Sequence, residues 1–306
     1  MKVIRLSKSC ISKREKNAVI KVLNKGFLGM GPVVKKFETK LSKFFSRKVV
    51  CLNSGTAALH VALQASGISK NDEVIVPSLT YVASYQAISA TGAKPVACDI
   101  DLENLHMCPH DLKRKITKKT KAIMPVHLTG RVAEMDEILR ISKKYGIPII
   151  EDAAQSINSK YKGKKSGSFG EVGCFSAHPL KNLNACGDGG FITTNNYSIY
   201  KKALSFRNHG LVDRNIVKKF GFLSRMDVIQ ATVLNYRIKK LNETILKRRN
   251  NAKFYFENLD RDKYFLNDER SYQFNTYHTF VIHTKNRNKL IKYLKKKGTG
   301  TAIHYP

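Results

Sequence analysis

Lys121-Ala122-Ile123-Met124-Pro125-Val126 and Ile147-Pro148-Ile149-Ile150-Glu151 are two short apolar runs, rich in β-branched residues, with a helical pattern over 132–145 between them. Strand, helix, strand is the unit of a parallel sheet, because parallel neighbours need a crossover long enough to hold a helix. The unit recurs outward in both directions. Further strand-like runs lie at 49–52, 73–76, 94–98, 172–176 and 190–194, with helical patterns at 56–66, 81–90 and 198–207. The expected fold is α/β, a mostly parallel seven-stranded sheet sandwiched by helices.

Two amphipathic helices, 12–25 and 33–45, are expected to pack outside the sheet. Gly26-Phe27-Leu28-Gly29-Met30-Gly31-Pro32 forces the break between them. A long charged helical region over 225–260, bent near Asn242, leads to a new strand pattern at 277–282. The division is therefore a large domain over 1–240 and a smaller α+β domain over 241–306. The latter breaks off one strand later, at 302–306, so the expectation is of a truncated domain and a fragment.

Length and composition bound the function. A chain of 306 residues, 42% hydrophobic, can bury one large core, with or without a small satellite. Its apolar runs are too short to span a bilayer, and Met1-Lys2-Val3-Ile4-Arg5 lacks the apolar core of a signal peptide, so a cytoplasmic protein without membrane contact is expected. Cys10, Cys51, Cys98, Cys108, Cys174 and Cys186 form no C-x-x-C pair and read as buried, reduced thiols, with neither disulfides nor a metal site. The balance of 55 Lys+Arg against 23 Asp+Glu gives a formal +32, which attracts polyanions at low salt. The charge is spread over solvated helix faces without an arm, zinc finger or aromatic-basic motif. Specific nucleic-acid binding is not expected.

Three segments carry chemistry, each at the C-terminal end of a strand, where open α/β sheets bind ligands. Asn53-Ser54-Gly55-Thr56 opens a helix after a glycine turn, either an ordinary cap or a phosphate site on free N–H groups. Glu151-Asp152-Ala153-Ala154-Gln155 ends a buried strand in two acids, which need a positive partner, a magnesium ion or a capping role. Ser176-Ala177-His178-Pro179-Leu180-Lys181-Asn182 delivers a lysine into a glycine-rich loop that runs on to Cys186-Gly187-Asp188-Gly189-Gly190. A partly desolvated lysine can lose its proton and condense with an aldehyde, but spacing alone does not set Lys181 apart from the chain's many surface lysines.

In this order and with these gaps, the three segments closely resemble the DegT/StrS family of sugar aminotransferases, of the aspartate aminotransferase fold (type I). The resemblance runs from Ser9 through Gly29-Met30-Gly31-Pro32 to His304-Tyr305-Pro306. It implies a pyridoxal 5'-phosphate cofactor joined to Lys181, with Asp152 at the pyridine nitrogen, Gln155 at the phenolic oxygen, Gly55, Thr56 and Ser176 at the phosphate, and Tyr81 stacked on the ring. It also implies a homodimer with shared active sites, in which His178, Asn208, His209, His304 and Tyr305 face a keto-sugar nucleotide. Glutamate is the implied amino donor, and a 3-keto sugar is favoured over a 4-keto one. Leu223 departs from the family, which places there an asparagine that reaches the neighbouring subunit's phosphate; weaker cofactor retention follows. A sugar dehydratase of the same fold is disfavoured, since those relatives replace the lysine with histidine. A regulatory or nucleic-acid-binding protein on the same fold, or an inactive paralogue, is the remaining alternative.

Overall fold

The computed structural model describes residues 3–305; Pro306, the last residue of the expected final strand, lies outside them. Helix α1 (Lys13–Lys25) starts on a capping box, in which the Ser12 hydroxyl accepts from the Glu15 amide and the Glu15 carboxylate accepts from the Ser12 amide. It ends at Gly26, whose φ of +69° is left-handed. Helix α2 (Pro32–Phe45) opens on the proline, so the glycine-proline break falls where the sequence puts it.

The main layer alternates strands and helices in chain order: β1 (Lys48–Leu52), α3 (Gly55–Ala65), β2 (Glu73–Pro77), α4 (Ala83–Ser89), β3 (Lys94–Cys98), α5 (Pro109–Lys115), β4 (Thr120–Ile123), α6 (Met135–Tyr145) and β5 (Ile150–Asp152). A short antiparallel pair, β6 (Lys160–Tyr161) and β7 (Lys164–Lys165), precedes β8 (Val172–Ser176), β9 (Gly190–Thr194) and α7 (Tyr197–Phe206). Four strands pair in the order β1-β9-β8-β5 and three in the order β3-β2-β4. Parallel bridges at Ile123–Ile149 and Val126–Asp152 join the two groups into one layer of seven. β9 runs antiparallel to both its neighbours, and the other pairings are parallel.

Alternate strand residues point to opposite faces, and both faces are covered. Val50, Leu52, Val74 and Ile192 meet α3 and α7 through Leu59, Ala62 and Ala203. On the other side Val49, Cys51, Phe175 and Phe191 meet Phe37 and Leu41 of α2. There the Phe175 and Phe191 rings stack at 4.7 Å. Ile75, Ile123 and Ile149 pack on α5 and α6 through Leu112, Met135 and Ile138.

After α7 come a hairpin, β10 (Leu211–Asp213) and β11 (Ile216–Val217), and α8 (Val228–Arg237), which turns through a 3₁₀ segment (Ile238–Lys240) into α9 (Leu241–Asn258). The bend thus precedes Asn242. Strand β12 (Gln273–Phe274) adds to β6, and α10 (Arg287–Lys296) is the last helix among the described residues.

The strand expected at 277–282 does not form, nor does the one expected at the end over its described residues, 302–305. Tyr277 has a φ of +44°, Arg248 takes the carbonyls of Tyr277 and His278, and Thr279 donates to the Thr129 carbonyl, so the backbone's hydrogen bonds go elsewhere than to a ladder. All six cysteines are free, but Cys10 and Cys186 are exposed rather than buried. Among the described residues no helix is long and apolar enough to cross a membrane, and no group of histidine, cysteine and acid side chains is arranged to hold a metal.

Candidate functional site

β5 and β8 are parallel neighbours, with Asp152 paired to Cys174, so both strands deliver their last residues to the same end of the sheet. Asp152 is buried. Its carboxylate accepts from the Ser84 hydroxyl at 2.7 Å and from the Ala154 amide at 3.1 Å. Ser84 in turn shares a 2.8 Å hydrogen bond with Thr80. Among the described residues no lysine or arginine is ion-paired to Asp152, so its buried charge is met by hydrogen bonds alone.

Lys181 lies beyond the end of β8, its amide bonded to the His178 carbonyl at 2.9 Å. Burial pushes its amine down from the usual lysine range to about 8, and the nearby Asp152 carboxylate works against that fall. The loop is held from several sides. Asn182 donates to the Thr276 carbonyl and Asn184 to the Pro179 carbonyl, while Arg237 donates to Asn184 and also to Glu15 of α1. A part-desolvated amine facing a buried carboxylate is the arrangement that condenses with an aldehyde on a ring whose nitrogen is protonated.

The Gly55 turn adjoins the end of β8. A Cβ on Gly55 would lie 2.7 Å from the Ser176 Cβ, so only glycine allows the start of α3 to come this close. Ser54 caps that helix by accepting from the Ala57 amide, and Thr56 is exposed beside it. The exposed Thr56 hydroxyl and the amides that open α3 are groups of the kind that receive an anion.

Gln155 and Tyr305 come together over 150 residues of chain: Gln155 Nε2 donates to the Tyr305 hydroxyl at 3.0 Å, and Gln155 Oε1 accepts from the Thr129 amide. Tyr81, half-exposed ahead of α4, has its ring 5.9 Å from that of Tyr305. His178 is exposed, and His304 faces His278. Asn208 and His209 stand on the segment that runs beside Leu223. They pair with Leu223 and Phe222, and among the described residues no hydrogen bond joins them to Lys181 or Asp152. Leu223 itself is exposed, on a segment that runs beside Leu52 and Asn53.

Sequence reading missed Ser84, Thr80 and His278. His278 Nε2 lies 3.5 Å from the Lys181 amine, and its only signal was a lone histidine in an apolar run. His127, near the site in sequence, is buried and structural. Its Nδ1 accepts from the Ala133 amide, which leaves the proton on Nε2 for Glu151 at 2.8 Å.

The residue profile of the DegT/DnrJ/EryC1/StrS aminotransferase family matches residues 9–306. A pleiotropic regulatory protein of Geobacillus stearothermophilus is 37% identical over 90% of this chain and 76% of its own length. UDP-2-acetamido-2-deoxy-3-oxo-D-glucuronate aminotransferase of Pseudomonas aeruginosa is 38% identical over 94% of this chain and 80% of its own. Among solved structures, S. venezuelae DesV in complex with a ketimine intermediate superposes with a TM-score of 0.92 at 34% identity, covering 96% of this chain and 80% of that one.

Proposed function

The chain belongs to the DegT/DnrJ/EryC1/StrS aminotransferase family, and from that premise we propose that it transfers an amino group from glutamate to a keto-deoxy-sugar nucleotide, using Lys181 and Asp152. It is a pyridoxal-phosphate-dependent sugar aminotransferase of fold type I. The observation that carries the residue assignment is the pairing of a part-desolvated Lys181 amine with a buried Asp152 that has no bonded cation.

The cofactor, when bound, supplies an electron sink and a temporary carrier for the amino group. The rest falls to the chain. Lys181 Nζ holds the cofactor and, once released, takes up a proton and gives it back; an amine near 8 can do both close to neutral pH. Asp152, fixed by Ser84 and Ala154, keeps the ring nitrogen protonated. Gly55, Thr56 and Ser176 bind the phosphate, Gln155 the phenolic oxygen, and Tyr81 covers the ring. His178, Asn208, His209, His304 and Tyr305 line the sugar-nucleotide side, the first histidine and the last two residues from this subunit's own site.

A 3-keto sugar is preferred to a 4-keto one, in line with the name of the Pseudomonas relative. The protein works in the cytoplasm as a homodimer with shared sites and makes an amino sugar for surface polysaccharide; the exposed Phe27, Phe220 and Leu223 support a second copy as the partner. The charge of +32 and the name of the Geobacillus relative favour one other reading, a regulatory protein. DNA binding that survives physiological salt, in a chain that shows no visible cofactor absorbance, would favour it.

The test is to purify the chain with pyridoxal phosphate and follow its visible absorbance on adding glutamate, then each keto-sugar nucleotide. We expect a shift with the donor and its reversal with the 3-keto acceptor. Lys181→Ala abolishes both. Colour that disappears in Lys181→Ala but ignores every amino donor would sink the transfer reaction.

A further inference from the structure

Lys181 must exist as a free amine within each catalytic cycle, and a free amine in a part-buried site needs a partner for its lone pair. The imidazole of His278 is placed to be that partner. Its Nε2 lies 3.5 Å from Nζ, at the outer limit of a hydrogen bond, with a flexible lysine stem able to shorten it. The other nitrogen, Nδ1, is buried with no partner. A proton on Nδ1 would be a buried orphan donor, so the favoured tautomer carries its proton on Nε2, aimed at the lysine.

The backbone that carries the ring is held in place. Arg248 grips the His278 carbonyl at 2.8 Å, the Thr276 amide bonds to the Gly130 carbonyl, and a Cβ on Gly130 would already stand 2.7 Å from the His278 backbone nitrogen. We propose that His278 is a positioning residue for Lys181: its Nε2–H donates to the lone pair of the released ε-amine, holding it neutral and aimed between cofactor-linked states. The inference rests on the reading of Lys181 as the cofactor-bearing residue, but the contact lies within this chain.

The charges around the pair agree. Burial, then Lys181, Arg248, His304 and His178, holds His278 well below the usual histidine range, so it is a neutral donor at neutral pH. Asp152 is the carboxylate that faces Lys181, and it favours the opposite, protonated state.

The test uses the full chain freed of cofactor and labelled with trace acetic anhydride from about pH 6 to about pH 10, the Lys181 peptide being read by mass spectrometry. The wild-type midpoint is expected at about 8. His278→Phe keeps the bulk and removes the donor, and should raise the midpoint by about one pH unit. His278→Gln, whose amide can donate, should bring it back. An unchanged midpoint in His278→Phe overturns the proposal, as does a rise that His278→Gln shares. If the phenylalanine variant does not fold, the glutamine variant decides alone, and a raised midpoint there is fatal. Because labelling needs no cofactor, a chain that shows these shifts yet ignores every amino donor would lose the transferase reading and keep this one.

Discussion

Leu223 stands exposed where its segment passes Leu52 and Asn53, one turn from the Gly55–Ser176 contact. Its side chain has no hydrogen to give, so on the proposed dimer the phosphate of the neighbouring site lacks one donor. Replacing it should restore that bond. A hydrogen bond to a charged acceptor is worth about 1.5–3 kcal/mol, and 1.4 kcal/mol is about tenfold. Leu223→Asn should therefore bind pyridoxal phosphate at least about tenfold more tightly by fluorescence titration; equal affinity would remove the argument. The same scale shows what sequence could reveal about the site. Lys181, Asp152, Gly55 and Ser176 stand in three short segments at strand ends, and it is the likeness of those segments to the family, not their spacing, that singles these residues out. Ser84 and His278 were not legible, since their contacts with Asp152 and Lys181 span 68 and 97 residues and no local pattern records them.

At the scale of elements, β5 depends on its other acid. Glu151 is fully buried and accepts from the amides of Gly167, Phe169 and Gly170 as well as from His127, tying the strand end to the loop that leads into β8. Arg47 grips the same loop through the Gly167 and Gly170 carbonyls. In Glu151→Gln an amide nitrogen would face donors. The expected cost is about 3 kcal/mol, read from urea unfolding with an unchanged slope. A loss under about 1 kcal/mol would mean that the loop holds itself. Elements with a clear period were legible: 94–98, 172–176 and 190–194 were read with the bounds of β3, β8 and β9. The run at 277–282 misled because a run of apolar and β-branched residues says what is buried, not where the backbone bonds go; here Thr129 and Arg248 take them. The two-residue strands β6, β7 and β12 are too short to leave a period at all.

At the scale of the whole molecule the formal charge of +32 attracts polyanions in a salt-sensitive way, while the response between about pH 7 and about pH 5 falls to the histidines that burial keeps neutral. His106 is the clearest of these. It is 2% exposed, and burial first, then the neighbouring Arg131 and His127, holds its pKa well below the usual histidine range. The sign follows from linkage. Above the unfolded value of about 6.5 neither state carries the proton, and stability is unaffected. As pH falls through that value the unfolded chain takes up a proton that the folded chain refuses, and stability falls by up to about 1.4 kcal/mol per pH unit for each such group. His278 adds to the slope in the same direction. His106→Phe removes one titrating group from both states, so its unfolding free energy, measured from about pH 7 to about pH 5, should fall less steeply than the wild type by close to one proton. Parallel slopes would show that His106 takes up its proton in the folded protein, with the backbone of Arg131 and Leu128 as its acceptors.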